Sequence, residues 1–183
     1  MAAVDSVVCW TPYLNEDWML IVAASPQGLC YVGLPGTGRS DLETFLQKHF
    51  AGWAWEQEAD RLRDVTRQLD EYFSGSRRHF ELDLDFRGTP FQVAVWQALG
   101  EIPYGETWTY RAVAQAVGRP KAVRAVGAAN GQNPIPIVVP CHRVIGSNGT
   151  LTGYRGGLAL KQRLLRLEGL DLPSSEEQAR FGL

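Results

Sequence analysis

The sequence has only three cysteines, Cys9, Cys30 and Cys141, and they lie far apart along the 183-residue chain. An odd and widely spaced set does not form a disulfide framework, so we expect free thiols and a reducing, cytoplasmic location. No apolar run approaches the length that crosses a bilayer, and the N-terminus lacks a basic stretch followed by an apolar one. These absences argue against a membrane anchor and a signal peptide.

The net charge of −2 conceals an uneven distribution. Residues 1–106 carry 8 Lys/Arg against 16 Asp/Glu, whereas residues 107–170 carry 9 Lys/Arg and a single acid, Glu168. A basic part joined to an acidic part indicates that the basic part meets a polyanion, although solvated surface charge would give the same count.

The first 85 residues have the pattern of an α+β domain. Apolar, β-branched segments between turn signals predict three strands, over residues 4–10, 18–24 and 28–34. Apolar residues at helical spacing predict two helices, over residues 40–50 and 60–73. Residues 80–86 alternate apolar and acidic side chains and predict a half-exposed strand. We therefore expect one domain over residues 1–85, with a small antiparallel sheet.

Residues 86–170 have the pattern of a second, mostly helical domain. Thr89 and Pro90 form a cap and first-turn pair ahead of an apolar stripe. A helix over residues 109–117, a glycine-containing turn and a second helix over residues 121–130 predict a helix-turn-helix. We expect a last helix over residues 158–167. Residues 171–183 are polar and predict a frayed C-terminal tail.

The second helix of the helix-turn-helix has two different faces. One side of the helical wheel carries Val123, Val126 and Asn130. The other side combines positive charge with small side chains, from Lys121, Arg124, Ala125 and Ala128. Such a face lets a helix approach a nucleic-acid groove, although small residues also mark tight contacts between helices. The surrounding positive charge favours DNA.

A cysteine is the strongest functional signal in the chain. Cys141 lies within residues 140–144 and follows the apolar run 135–139, which predicts a buried extended segment. The alternative is a buried cysteine that acts only as a small apolar residue. Proline, histidine and arginine beside it are unusual core residues, and they favour a chemical role.

His142 and Glu168 supply what a reactive thiol needs. An imidazole accepts the thiol proton, and a carboxylate orients the imidazole. Glu168 is the only acid between Thr107 and Leu170, although an acid at a helix end could equally lie on the surface. Because neighbouring side chains of a strand point to opposite faces, adjacency alone does not place His142 against Cys141. A bridging water is the alternative to direct contact.

Four segments resemble the O6-alkylguanine-DNA alkyltransferases, also called methylated-DNA–protein-cysteine methyltransferases. They comprise the second helix, the cysteine segment, a glycine loop and the end of the last helix, at residues 118–130, 133–145, 153–157 and 164–169. The resemblance runs from about Thr89 to Leu170 and is looser over residues 1–85. It implies a ribonuclease H-like N-terminal domain, and the chain looks most like the bacterial, non-inducible type.

The resemblance implies a role for each matching residue at the reaction centre. Cys141 would accept the alkyl group, with His142 as its water-linked base and Glu168 as the residue that orients the histidine. Asn133 would brace the active-site turn. Tyr110 would hydrogen-bond to the departing guanine or protonate it.

The resemblance also implies how damaged DNA is held. Arg124 would enter the base stack in place of an extruded nucleotide, with the helix-turn-helix in the minor groove. The other DNA-contacting positions would be Thr109, Lys121, Ala125 and Ala128. The substrate pocket would be lined by Pro136, Val144, Tyr154, Arg155 and Gly156.

The implied reaction consumes the protein. The thiolate would displace guanine from the alkyl carbon of O6-alkylguanine in duplex DNA, with O4-alkylthymine as a second substrate, and leave a thioether on Cys141. A thioether is a poor leaving group, so transfer would be stoichiometric and irreversible, and it needs no cofactor. The expected partner is double-stranded DNA. We expect a monomer in solution, and cooperative binding on DNA is left open.

A metal site is not expected. Some members of the family hold a structural zinc in the N-terminal domain, and Cys9 and Cys30 are present here. Ser25 stands where the family has another cysteine, and no fourth ligand is evident in the sequence. Structural zinc takes four ligands, mostly nitrogen and sulfur.

Other function classes fit parts of this pattern. A cysteine hydrolase also pairs cysteine with histidine, but it draws them from separate chain regions and needs no basic helix-turn-helix. A damage sensor related to the family would lack the acceptor cysteine. A transcriptional regulator would not need the Cys–His–Glu set.

Overall fold

The computed structural model of the chain describes residues 6–173 and divides between Arg87 and Gly88 into two units. In the N-terminal unit, three strands form an antiparallel meander: β1 (Val7–Leu14), β2 (Met19–Ser25) and β3 (Gly28–Gly33). A fourth strand, β4 (Ala54–Gln57), pairs in parallel with β1, which gives the order β3-β2-β1-β4. The three predicted strands are present, with β1 extending to Leu14. The sequence pattern does not predict β4.

Both predicted helices of this unit are present. They are α1 (Arg39–His49) and α2 (Arg63–Phe73), the second preceded by a 3-10 turn (Asp60–Leu62). The apolar side of α1 packs against β1, β2 and β3 in one buried cluster. The last residue of α2, Phe73, stacks on Trp18 with ring centroids 4.2 Å apart. Buried apolar area of this kind contributes about 25 cal/mol per Å².

The prediction of a strand over residues 80–86 is wrong. This segment makes a single bridge to β3, in which Leu29 N donates to Asp83 O (2.8 Å). A Cβ at Gly28 would lie 2.3 Å from that Asp83 oxygen, so the glycine permits the close approach. Alternation of apolar and acidic residues indicates an extended chain, but it does not show how far pairing extends.

The C-terminal unit is mostly helical, as the sequence predicts. Its helices are α3 (Pro90–Gly100), α4 (Tyr110–Ala116), α5 (Val123–Gly131) and α6 (Leu158–Leu167). Two short strands, β5 (Trp108–Thr109) and β6 (Val144–Ile145), pair in parallel. Thr89 caps α3 as predicted, because its Oγ1 accepts from Gln92 N (3.3 Å). The two units together confirm the α+β fold class.

Helix α5 begins later than the sequence predicts. Ala122 N donates to Arg119 O (2.8 Å), which closes a turn over residues 119–122. Lys121 therefore lies in the turn before the helix and not on the helix itself. Across residues 6–173, none of the helices combines the length and apolar character needed to cross a membrane.

The predicted frayed tail is described only in part, since residues 174–183 lie outside the described residues. The described part does not match a frayed end. Leu172 packs against a buried cluster that contains Leu151 and Leu165. Its carbonyl oxygen also accepts from Gln162 Nε2 (3.1 Å).

Candidate active site

A buried turn leads into Cys141. The prediction of an extended segment over residues 135–139 is wrong, because Val139 N donates to Ile135 O (2.9 Å) and closes a tight turn. Ile137 has a φ of 76°, which a β-branched residue rarely adopts. Asn133 stabilises this turn: its Nδ2 donates to Val139 O (2.9 Å) and its Oδ1 accepts from Ile135 N (2.9 Å).

Asn133→Ala is expected to lower the free energy of unfolding by roughly 2–5 kcal/mol, because two buried backbone groups lose their partners. Urea unfolding measures the change. Asn148→Ala is the matched control, since Asn148 is exposed and its side chain accepts only local bonds from Thr150. Equal losses for the two variants would contradict the bracing role of Asn133.

Cys141, His142 and Arg143 share one 3-10 turn, and all three are buried. The expectation that neighbouring side chains alternate along a strand is therefore wrong here. His142 Nε2 lies 2.8 Å from Glu168 Oε1, with both side chains fully buried. Arg143 meets the same carboxylate twice, with Nε 2.9 Å from Oε2 and Nη2 3.0 Å from Oε1. The structure thus adds a third member to the His–Glu pair.

The loop between α3 and β5 closes over the Glu168 carboxylate. Gly105 N donates to Glu168 Oε2 (3.2 Å), and Tyr104 Oη donates to Leu167 O (2.9 Å). Gly105 has a φ of 76°, and a Cβ there would lie 3.3 Å from Glu168 O. Glycine at this position therefore allows the loop to reach the acid.

The hydrogen bonds determine how this buried set is protonated. Burial alone would raise the pKa of Glu168, but the hydrogen bonds and charges of His142 and Arg143 lower that pKa from 4.5 to about 2. An ionised carboxylate only accepts, so His142 Nε2 carries the shared hydrogen. Burial lowers the pKa of His142, which keeps its ring neutral near pH 7. The basic nitrogen is then Nδ1.

Stability in acid should depend on Glu168. Because folding lowers its pKa, its ionisation stabilises the fold fully above about pH 5 and progressively less as the pH falls towards about 2. Glu168→Gln is expected to cost roughly 3–5 kcal/mol at pH 7, since it leaves Arg143 buried without its counter-charge. That cost should shrink in acid. Urea unfolding of the unmodified protein and of Glu168→Gln at several pH values measures this difference. If both proteins lost the same stability as the pH falls, Glu168 would not be the group responsible.

The Cys141 thiol is surrounded by polar and charged groups. Burial raises the pKa of this thiol, while the neighbouring side chains of Asn133 and Tyr154 and the charges of Lys161 and Arg155 lower it. The raised pKa keeps the resting group a neutral thiol. Three of these four neighbours are residues that the sequence predicts for the site, and Lys161 is not.

Lys161 is fully buried on α6 and connects three parts of the site. Its Nζ donates to Val144 O and to Thr152 O (2.9 Å), and burial lowers its pKa to about 8. Tyr110 Oη donates to the same Thr152 oxygen (3.2 Å), and Nζ lies 6.0 Å from the centre of the Tyr110 ring. Lys161 therefore ties the strand after Cys141 to the loop that holds Tyr110.

The predicted pocket residues occupy two places. Pro136 and Val144 are buried, one before and one after Cys141 in the chain. The other three, Tyr154, Arg155 and Gly156, form a turn just before α6 whose closing hydrogen bond is accepted by the Tyr154 carbonyl oxygen (3.0 Å). Arg155 is exposed, whereas Tyr154 and Gly156 are half-buried.

The outer face of the helix-turn-helix is accessible. It comprises four exposed residues, Lys121 in the turn and Arg124, Ala125 and Ala128 on α5. The inner side of α5 is buried at Val126, Ala129 and Asn130. Thr109 is half-buried, and its Oγ1 accepts from Ala112 N (3.1 Å) at the start of α4.

The basic surface is smaller than the sequence count suggests. Of the nine basic residues within 107–170, Arg143 and Lys161 are buried in the site. The other seven are exposed: Arg111, Arg119, Lys121, Arg124, Arg155, Arg163 and Arg166. Two charges that sequence reasoning assigned to a polyanion surface therefore act inside the protein.

Cys9, Cys30 and Ser25, the positions considered for a zinc site, contact other protein groups. Cys30 Sγ hydrogen-bonds to a backbone carbonyl (3.3 Å), and Ser25 Oγ donates to Asp85 Oδ2 (2.6 Å). Burial raises the pKa of both thiols, to about 12 for Cys30. In the part of the chain that the structure describes, no three His, Cys, Asp or Glu side chains are grouped to hold a metal.

Two family models match most of the chain. The model described as 6-O-methylguanine DNA methyltransferase, ribonuclease-like domain, matches residues 8–86. The model described as 6-O-methylguanine DNA methyltransferase, DNA binding domain, matches residues 90–170.

Curated relatives and a solved structure agree with these matches. The inducible methylated-DNA–protein-cysteine methyltransferase of Bacillus subtilis is 44% identical over 159 residues, which cover 87% of this chain and 89% of the relative. The Methanosarcina acetivorans methyltransferase is 47% identical over 150 residues, covering 82% and 91%. The crystal structure of Mycobacterium tuberculosis OGT in complex with DNA has a TM-score of 0.74 at 39% identity, covering 90% of this chain and 95% of that one.

Proposed function

The chain belongs to the 6-O-methylguanine DNA methyltransferase family, which repairs DNA by alkyl transfer to a protein cysteine, and we propose that its acceptor is Cys141. The observation that carries the assignment is the buried network in which Cys141 shares one turn with His142 and Arg143, both of which bond to Glu168. Cys9 and Cys30 lie in the other unit, where Cys9 Sγ contacts Glu58 and Arg61 and Cys30 Sγ donates to a backbone carbonyl.

Each group at the site has a place in the transfer. His142 Nδ1 accepts the Cys141 proton, through a water molecule or directly, while its Nε2 keeps its hydrogen and donates it to Glu168. The thiolate attacks the alkyl carbon, so a carbon–sulfur bond forms as the carbon–O6 bond breaks. Burial raises the pKa of Tyr110, which keeps the phenol protonated and able to donate to the departing guanine. The thioether product offers no leaving group, so each molecule reacts once.

We assign DNA recognition to residues 86–170. A base inside a duplex cannot reach a buried sulfur, so the damaged nucleotide must leave the stack. Arg124 is exposed on α5 and takes its place from the minor-groove side, while Ala125 and Ala128 keep the surface flat. Thr109 and Lys121 flank this face. O4-alkylthymine is the expected second substrate, since it also carries an alkyl group on an exocyclic oxygen.

The function is tested by incubating the protein with a duplex that contains O6-methylguanine and weighing it. An alkyltransferase gains the mass of one methyl group and stops after one turnover. A cysteine hydrolase or a transcriptional regulator would keep its original mass. An unchanged mass, with the protein folded and bound to the duplex, would overturn the proposal.

DNA affinity should fall as the salt concentration rises. The slope of log affinity against log salt is limited by the number of exposed basic residues. Within residues 88–173, seven basic residues are exposed, and their phosphate contacts give a log–log slope no steeper than about −6. Binding measured against salt on several undamaged duplexes gives the slope. Sequence preference should be modest, because the minor groove distinguishes little beyond A·T from G·C. A flat salt response, or one strongly preferred sequence, would favour a transcriptional regulator.

We further propose that the protein works in the cytoplasm and is a monomer in solution. All three cysteines are free, which suits a reducing compartment. Sedimentation of the free protein measures the oligomeric state. The same measurement with DNA of increasing length tests whether binding is cooperative.

A further inference from the structure

We infer that Arg143 keeps His142 available as a base by neutralising Glu168, which makes Arg143 a positioning residue of alkyl transfer. The inference rests on the proposed function, because it takes His142 as the group that accepts the Cys141 proton. Arg143 occupies the same 3-10 turn as both residues, and its side chain is buried.

Arg143 is bound to Glu168 more fully than His142 is. Two of its N–H groups meet the two carboxylate oxygens, at 2.9 and 3.0 Å, in the fork geometry of a strong pair. Its Nη1 donates to Ile102 O, and Tyr104 lies with its ring centre 5.8 Å from the guanidinium carbon. His142 contacts one oxygen, at 2.8 Å. The charges of Arg143 and Glu168 therefore neutralise each other. His142 hydrogen-bonds to a carboxylate that is already paired with a cation.

Without Arg143, the same carboxylate would draw a proton onto the ring. An unneutralised buried carboxylate beside an imidazole favours the imidazolium form, since opposite charges stabilise each other. Nδ1 would then carry a hydrogen and could not accept one from Cys141. With Arg143 present, an imidazolium would face two buried cations, Arg143 in its own turn and Lys161 on α6. The other titratable groups around this set include Cys141, Glu168, Tyr104, Tyr110 and Tyr154.

Arg143→Met tests the inference by removing the charge. The pKa of His142 should rise, because the Glu168 carboxylate then stabilises the imidazolium without a competing cation in the same turn. Transfer at pH 7 should fall about tenfold or more and recover at higher pH, where the ring loses its proton. Nitrogen-15 NMR reads the ring directly, because the chain has only three histidines, His49, His79 and His142.

Two further variants separate charge from structure. Arg143→Met combined with Glu168→Gln removes both charges, and it should return His142 to the neutral form at pH 7. Arg143→Lys keeps a cation and should also leave the ring neutral, which preserves the test if Arg143→Met does not fold. Arg63→Met is the matched control, because Arg63 pairs with Asp60 at the surface of the N-terminal unit and should change neither readout.

A His142 pKa that does not rise in folded Arg143→Met would overturn the inference. So would a protonated His142 in the double variant or in folded Arg143→Lys. The NMR titration needs no alkyl transfer, so its result is independent of whether Cys141 is the acceptor. Failure of the mass measurement would instead refute the proposed function.

Discussion

Cys141→Ser is expected to abolish alkyl transfer while leaving the affinity for undamaged duplex DNA largely unchanged. A serine hydroxyl is far less acidic than a thiol, so a neutral imidazole does not convert it into a nucleophile able to displace guanine. The exposed face of the helix-turn-helix is not altered. Intact mass after incubation with an O6-methylguanine duplex measures transfer, and fluorescence anisotropy with an undamaged duplex measures binding.

Cys30→Ser is the matched control for this variant. Cys30 is also buried, so a serine hydroxyl at either position lowers the free energy of unfolding by roughly 1–3 kcal/mol. Cys30, however, lies in the other unit. Transfer by Cys30→Ser should match the unmodified protein. Transfer retained by Cys141→Ser would contradict the assignment of the acceptor.

Arg124→Ala is expected to slow repair of duplex DNA by about one to three orders of magnitude, with little effect on the reaction with free O6-methylguanine. Unstacking a base costs a few kcal/mol, and a side chain that fills the gap offsets part of that cost. Each 1.36 kcal/mol of lost stabilisation slows a reaction about tenfold. The free base needs no flipping, so the ratio of the two rates isolates this role.

Lys121→Ala is the control for charge alone. Lys121 is exposed and close to Arg124 in sequence, but it lies in the turn before α5. Its loss should weaken DNA binding and leave the ratio of duplex to free-base rates unchanged at saturating DNA. Equal losses on both substrates for Arg124→Ala would point to damage of the pocket or the fold.

Elements with local signals are predictable from this sequence. The Thr89 cap precedes α3, and α6 spans the predicted residues 158–167, because caps and helical spacing act within one or two turns. Pairing between distant segments is not local. Strand β4 pairs in parallel with β1, whose residues lie far back in the chain, and nothing in its own four residues indicates that partner.

The cysteine segment shows how a side chain overrides a pattern. A run of β-branched residues ahead of Cys141 predicts an extended chain, yet both ends of the Asn133 side chain bond to the backbone and close a turn. The sequence shows the asparagine but not its partners. Cys141, His142 and Glu168 could be chosen by chemistry, because a thiol, an imidazole and a carboxylate suggest proton transfer.

Arg143 and Lys161 could not be assigned in that way. In a basic segment, the sequence suggests that each is one more exposed charge on a surface that binds a polyanion. Only the fold shows that both residues are buried. One signal for Lys161 was available. It lies three and four residues before Leu164 and Leu165, on the apolar side of α6. A lysine at that spacing is expected to bury at least its aliphatic stem among the apolar side chains.

The most direct test of the account is a peptide map of the protein after reaction with excess duplex that contains O6-methylguanine. We expect one methyl group per molecule, carried by the peptide that contains Cys141, and no further transfer when fresh substrate is added. A methyl group on Cys9 or Cys30, more than one per molecule, or none at all would contradict it.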